Sequence, residues 1–210
     1  IASQGHLGGM CIKKARIGNG PRLFACSGLN FFRLDTRRSA VNSSDEKRLH
    51  LVFGPPAAGK SVYAKALAKR IGACLLDSDE VTERMVRAGL ALAGQDPDDR
   101  HSPAYRAAFR DPVYETLFDL AVSNLPNVPV VIAGPFTREG EDPEWPRKLV
   151  VRLGAEPEFH FVWCPPEIRR QRIIVRGAGR HLPKLADWEN YIRYCREEPP
   201  VFPHRFIATA

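Results

Sequence analysis

From Leu49 onward, short apolar runs alternate with longer segments in which apolar residues recur every three to four positions. Leu49–Phe53 predicts a buried strand that runs into a glycine-bearing turn, and Lys60–Ile71 a helix that stops before Gly72. Cys74–Leu76 predicts a second short strand followed by Asp77, after which Ser78 is positioned to cap a helix reaching about Ala93. Gly94 to His101 is polar and Asp-rich, as a loop requires. Ser102-Pro103 and Asp111-Pro112 each set a capping residue before a proline suited to the first helical turn, predicting two helices in succession. Val128–Ala133 predicts a third strand, Asp142-Pro143 opens another helix, and Glu158–Trp163 predicts a fourth strand. Pro166–Arg176 predicts a helix stopped by Gly177, Asp187 caps a last helix to about Cys195, and Phe206–Thr209 predicts a fifth strand. Strand and helix in alternation imply a parallel sheet covered on both faces, with ligands bound at the carboxyl ends of its strands.

The first 45 residues break this pattern. They are rich in Gly, Ser, Asn and Arg and show no sustained period, so they read as a disordered or artefactual basic extension ahead of one domain spanning 46–210. Charge follows the same division. Residues 1–44 hold seven basic groups against the single acid Asp35, which accounts for +6 of the chain's +7 and leaves the other 166 residues near +1. A nearly neutral domain has no basic surface for nucleic acid. No run approaches the roughly 18 consecutive apolar residues of a membrane span. The five cysteines (Cys11, Cys26, Cys74, Cys164, Cys195) are odd in number and form no C-x-x-C pair, so zinc-type spacing is absent and a reducing, cytoplasmic setting is expected.

The candidate chemistry begins at the first predicted turn. Gly54-Pro55-Pro56-Ala57-Ala58-Gly59-Lys60-Ser61 satisfies G-x-x-x-x-G-K-[S/T] at every fixed position. Such a loop turns its backbone N–H groups inward on phosphate oxygens, and the helix that follows adds its positive end. Lys60 then supplies a point charge for the β- and γ-phosphates of ATP, and the Ser61 hydroxyl a ligand for Mg²⁺. Leu75-Leu76-Asp77-Ser78-Asp79 brings two carboxylates to the end of the next strand. Two residues apart on an extended segment, Asp77 and Asp79 would point the same way. One is then able to hold hydrated Mg²⁺ while the other accepts the proton of an attacking hydroxyl.

These motifs resemble the small P-loop kinases of the shikimate, gluconate and chloramphenicol kinase type, including zeta-toxin-like and AAA_33 ATP-binding proteins. The resemblance runs from about Leu49 to the C-terminus. It is carried by the P-loop, by Leu76-Asp77-Ser78-Asp79, by Val131-Ile132-Ala133-Gly134-Pro135-Phe136, and by the arginine-rich helix after Pro165-Pro166-Glu167. It implies a three-layer α/β/α P-loop NTPase fold with a parallel five-stranded sheet in the order 2-3-1-4-5. It also implies Asp79 as the base near the acceptor and Asp77 as a helper for Mg²⁺. Ala133-Gly134 departs from the acid that often ends the third strand in P-loop proteins, which shifts the metal burden to Ser61 and Asp77. By the same resemblance an arginine of the late helix lies against adenine, here Arg172. A lid at about 169–186 meets the phosphates through Arg176 or Arg180.

Other residues carry further expectations. Thr137 and Arg138 would face the acceptor, while Tyr105, Arg106, Arg110 and Tyr114 sit on the helices that cover it in this family. Arg84, Arg87 and Arg110 offer charge for an anionic acceptor. Asp96, Asp98 and Asp99 lack calcium-loop spacing and read as loop solvation. His101 and His160 have no partner identifiable from sequence. The expected activity is Mg²⁺- and ATP-dependent transfer to a hydroxyl of a small molecule. A nucleotide-sugar or polynucleotide 5′-hydroxyl acceptor, or an ATP-driven switch without transfer, stand as alternatives.

Overall fold

The computed structural model describes residues 48–100, 102–177, 185–194 and 198–209. The extension 1–45, His101, Arg180 with the rest of 178–184, and Cys195 lie outside the described residues.

Five strands form one parallel sheet: β1 (Leu49–Phe53), β2 (Cys74–Asp77), β3 (Val130–Ala133), β4 (Pro157–Trp163) and β5 (Arg205–Ala208). Their order is β2-β3-β1-β4-β5. The helices are α1 (Lys60–Ile71), α2 (Ser78–Leu92), α3 (Pro103–Asn124), α4 (Trp145–Leu153), α5 (Pro166–Arg176) and α6 (Trp188–Tyr194), with a 3-10 turn at Glu139–Glu141. β1 is central and wholly buried, and its alternating side chains serve two cores. Leu49, Leu51 and Phe53 pack with Leu117 and Phe118 of α3 and Leu149 of α4, whereas Val52 packs with Ala64, Leu67 and Ala68 of α1. None of the described helices is long and apolar enough to cross a membrane. Cys74 and Cys164 are free thiols, the latter buried.

Three local expectations need correction. The pair of helices anticipated at Ser102 and Asp111 is a single helix, α3, with Pro112 inside it. Ser102 does cap it, accepting the Tyr105 N–H at 2.9 Å. Asp111 does not start a second helix, because both Pro112 and Ala108, whose carbonyl loses its N–H partner, face solvent. An exposed carbonyl can be solvated in place of its lost partner, so the helix continues. The cap of α2 is Asp77, not Ser78: Asp77 Oδ1 accepts the Asp79 N–H at 3.0 Å. β3 begins at Val130 because Asn127 and Val128 are drawn into a turn on the Asn124 carbonyl.

His160 does have partners. Its Nε2 lies 3.2 Å from His50 Nδ1 and its Nδ1 2.9 Å from the Tyr63 hydroxyl. Burial, reinforced by His50, Arg205 and Arg70, holds the His160 imidazole down to about 4. Facing it are His50 on β1, Glu158 on β4, Tyr63 and Arg70 on α1, and Arg205 on β5. Unfolded, the ring titrates near 6.5, so between these values the unfolded chain binds more protons. Stability from this group is therefore present above pH 6.5 and lost as pH falls through about 4. Thermal unfolding followed from pH 7 down to pH 4 should show a falling Tm, with a shallower fall in His160→Gln.

Candidate active site

The P-loop leaves β1 at Gly54, whose φ of 138° only glycine adopts readily. There is also no room for a side chain, since a Cβ at Gly54 would stand 2.1 Å from the Val162 carbonyl oxygen of β4. Gly59, at φ 102°, turns the chain into α1. Ala57 sits at φ 61°, a left-handed conformation that costs a non-glycine residue about 1–2 kcal/mol. The Lys60 ammonium donates to the carbonyls of Gly54 and Pro55, both at 2.9 Å, so it lies across the mouth of its own loop.

A cavity of about 1070 Å³ opens at the carboxyl ends of the strands, enough for a nucleotide and a second small molecule. Lys60, Ser61, Asp77 and Asp79 all line it. The expectation that Asp77 and Asp79 project together from an extended strand is replaced by a different arrangement. Asp77 ends β2, while Asp79 lies in the first turn of α2. Both residues still line the one cavity. Asp77 is buried, and with Oδ1 spent on the cap its Oδ2 has no hydrogen-bond partner among the described residues. An orphaned buried carboxylate oxygen beside a P-loop serine fits a hydrated divalent cation. Strand register explains why this oxygen matters: Asp77 pairs directly with Ala133, the residue that ends β3 without an acid.

The far side of the cavity comes from the first half of α3 and the segment after β3. Tyr105, Arg106, Arg110, Tyr114, Thr137 and Arg138 all reach it. Arg110 pairs with Glu139 at 2.6 Å and lies 5.0 Å from the centre of the Tyr114 ring. Burial pushes the Tyr114 hydroxyl well above its usual range, and that oxygen accepts the Phe136 N–H at 3.3 Å. Phe136, fully buried at φ 40°, thereby fixes the turn that presents Thr137 and Arg138. Arg106 and Arg138 have no ion-pair partner among the described residues, in contrast to Arg100, which pairs with Glu83 at 3.0 Å.

The arginines of α5 separate into distinct roles. Arg169 is completely buried and so belongs to the packed body, not to a mobile lid. Arg172 Nη1 reaches the carbonyls of Ala57 and Ala58 at 3.4 and 3.3 Å and Thr209 Oγ1 at 3.0 Å. It braces the back of the P-loop and is not among the cavity-lining residues. Arg176, at the exposed end of α5, does line the cavity. Arg84 and Arg87 do not, and Arg87 pairs with Asp98 instead. Sequence reasoning missed Thr209, which also donates to the Ala58 carbonyl from the far end of the chain. It also missed Arg100 and the α6 residues Asn190 and Tyr191 on the cavity wall. No local motif marks any of them.

The AAA domain model AAA_33 matches residues 49–197. A shikimate kinase of Paracidovorax citrulli is 38% identical over 117 residues, which are 54% of this chain and 58% of that protein. The matched stretch thus spans little more than half the length of that curated relative. A solved structure of a provisionally assigned kinase from Chloroflexus aurantiacus superposes with a TM-score of 0.58 at 20% identity, covering 77% of this chain and 83% of that one. A sugar kinase from Janibacter gives a TM-score of 0.49 at 14% identity over 78% and 85% of the two chains. The Chloroflexus likeness speaks to the fold alone, and the family match spans most of the described domain. This chain belongs to the AAA_33 family of P-loop AAA domains.

Proposed function

We propose that the chain is a small-molecule kinase that moves the γ-phosphoryl group of ATP to a hydroxyl. The observation that carries this reading is the single cavity shared by Lys60, Ser61, Asp77 and Asp79 on one side and by Arg106 and Arg138 on the other. A switch needs the first set alone. A transferase also needs a second compartment beside a base, and the α3 side of the cavity supplies one.

In the reaction, backbone N–H groups of Gly54 to Ser61 hold the phosphates. Lys60 leaves its loop carbonyls to meet the β- and γ-phosphate oxygens. Asp79 takes the proton of the acceptor hydroxyl as that oxygen bonds to the γ-phosphorus. The bond to the β–γ bridging oxygen breaks and ADP leaves. Ser61 and Asp77 would hold Mg²⁺, which when bound neutralises phosphate charge. Arg176, and Arg180 beyond the described residues, would add positive charge as the transition state forms. Arg172 would hold the P-loop backbone in place through the Ala57 and Ala58 carbonyls.

The acceptor side, with two arginines not engaged in ion pairs, favours a small hydroxylated acid, and the shikimate kinase relative makes shikimate the first compound to test. An ADP-release screen across hydroxylated acids, sugars, antibiotics and nucleosides, with Lys60→Ala as blank, should give turnover at least tenfold above basal hydrolysis for one class. Uniform basal hydrolysis throughout would argue for the switch reading instead.

A further inference from the structure

On the α1-facing side of the sheet, away from the phosphate cavity, three ligand-type side chains converge on neighbouring strands. Glu158 stands beside His50 in the β1–β4 register, and His160 follows two residues later on the same face. None of the three lines the cavity. One ligand atom from each lies within 4.8 Å of the others. We infer that His50 Nδ1, His160 Nε2 and a carboxylate oxygen of Glu158 form a binding site for one zinc-class divalent ion, with water completing four-coordination.

The spacing fits such an ion. His50 Nδ1 to His160 Nε2 is 3.2 Å, His50 Nδ1 to Glu158 is 3.7 Å, and His160 Nε2 to Glu158 is 3.8 Å. Ligand atoms held at about 2.0–2.1 Å in a tetrahedron stand roughly 3.3–3.4 Å apart, so small side-chain rotations close the site. Two imidazoles and one carboxylate suit zinc better than magnesium or calcium. The Tyr63 hydroxyl, 2.9 Å from His160 Nδ1, supplies the outer hydrogen bond that orients a ligating imidazole.

Opposing charge is also present. Arg205 pairs with Glu158 and Arg70 lies on the Tyr63 side, which tunes the site toward exchangeable rather than permanent occupancy. A bound ion would clamp β1 to β4, the strands that lead into the P-loop and into α5.

The test uses the full, tag-free chain stripped of metal, titrated with Zn²⁺ in a calorimeter and with Co²⁺ by visible absorption. One equivalent should bind, with the d–d bands of four-coordinate Co²⁺. Binding should weaken at least tenfold in Glu158→Gln and in His160→Gln, and by about tenfold in Tyr63→Phe. Circular dichroism checks folding. Should His160→Gln unfold, Glu158→Gln, at a side chain 19% exposed against 2% for His160, decides alone. No saturable binding, equal binding in Glu158→Gln, or a Co²⁺ spectrum with strong sulfur charge-transfer bands would overturn the site. The histidines would then form only a hydrogen-bonded pair.

Discussion

Replacing Asp79 by alanine should lower phosphoryl transfer by about 10²–10⁴-fold while ATP still binds. In barrier terms that is roughly 3–5.5 kcal/mol, the range assigned to a positioned general base. Nucleotide binding should persist because Asp79 contributes neither a P-loop amide nor the buried oxygen beside Ser61. That oxygen belongs to Asp77. Parallel measurement of transfer rate and of the Kd for an ATP analogue separates the two effects. If transfer and basal hydrolysis both survive in Asp79→Ala, Asp79 is not the base and the side chain serves only the first turn of α2.

Gly54→Ala should be the most damaging single change to the fold of the site. The new Cβ would meet the Val162 carbonyl at 2.1 Å, and φ 138° is itself hostile to alanine. The obstructing atom is backbone in a paired strand, so relief requires β1 and β4 to separate. A loss of about 3 kcal/mol or more is expected, together with loss of nucleotide binding. Gly72→Ala provides the control. Its φ is 65° but nothing lies within 4 Å of the new Cβ, so only the conformational cost of about 1–2 kcal/mol applies. Chemical denaturation of both variants should show that difference. Equal destabilisation would mean that contact with β4 is not what makes Gly54 necessary.

These two glycines show which features the sequence made legible. The P-loop is a local object, since its conformation follows from a few consecutive torsions and the chemistry of eight adjacent residues. The alternation of apolar runs with helical periods likewise led to the parallel sheet, while its strand order came from the family resemblance. Where a feature depends on what faces solvent, sequence misled. Pro112 reads as a helix start, yet its ring and the carbonyl it orphans both point outward, and α3 runs through. The choice of cap at Asp77 over Ser78 turned on where β2 ended, which no single residue states.

Long-range features were invisible for a different reason. Thr209 meets Ala58, and His160 meets His50, across separations of 151 and 110 residues. Only strand register joins them. The inward turn of Arg169 was similarly hidden, because a buried arginine and a solvated one have the same helical spacing. At the cavity itself, the donor side was written in a motif. The acceptor side was assembled from the start of α3, the strained turn at Phe136 and the α6 wall, none of which has a signature.

The central claim is transfer to a hydroxyl, as distinct from hydrolysis. The most direct measurement incubates the chain with Mg²⁺, γ-labelled ATP and shikimate or the best acceptor from the screen, then follows where the label goes. The kinase account predicts label on the acceptor oxygen in stoichiometric balance with ADP, lost in Lys60→Ala and lowered by about a hundredfold or more in Asp79→Ala. Label recovered only as inorganic phosphate with every hydroxyl compound, or transfer undiminished in those variants, would contradict it.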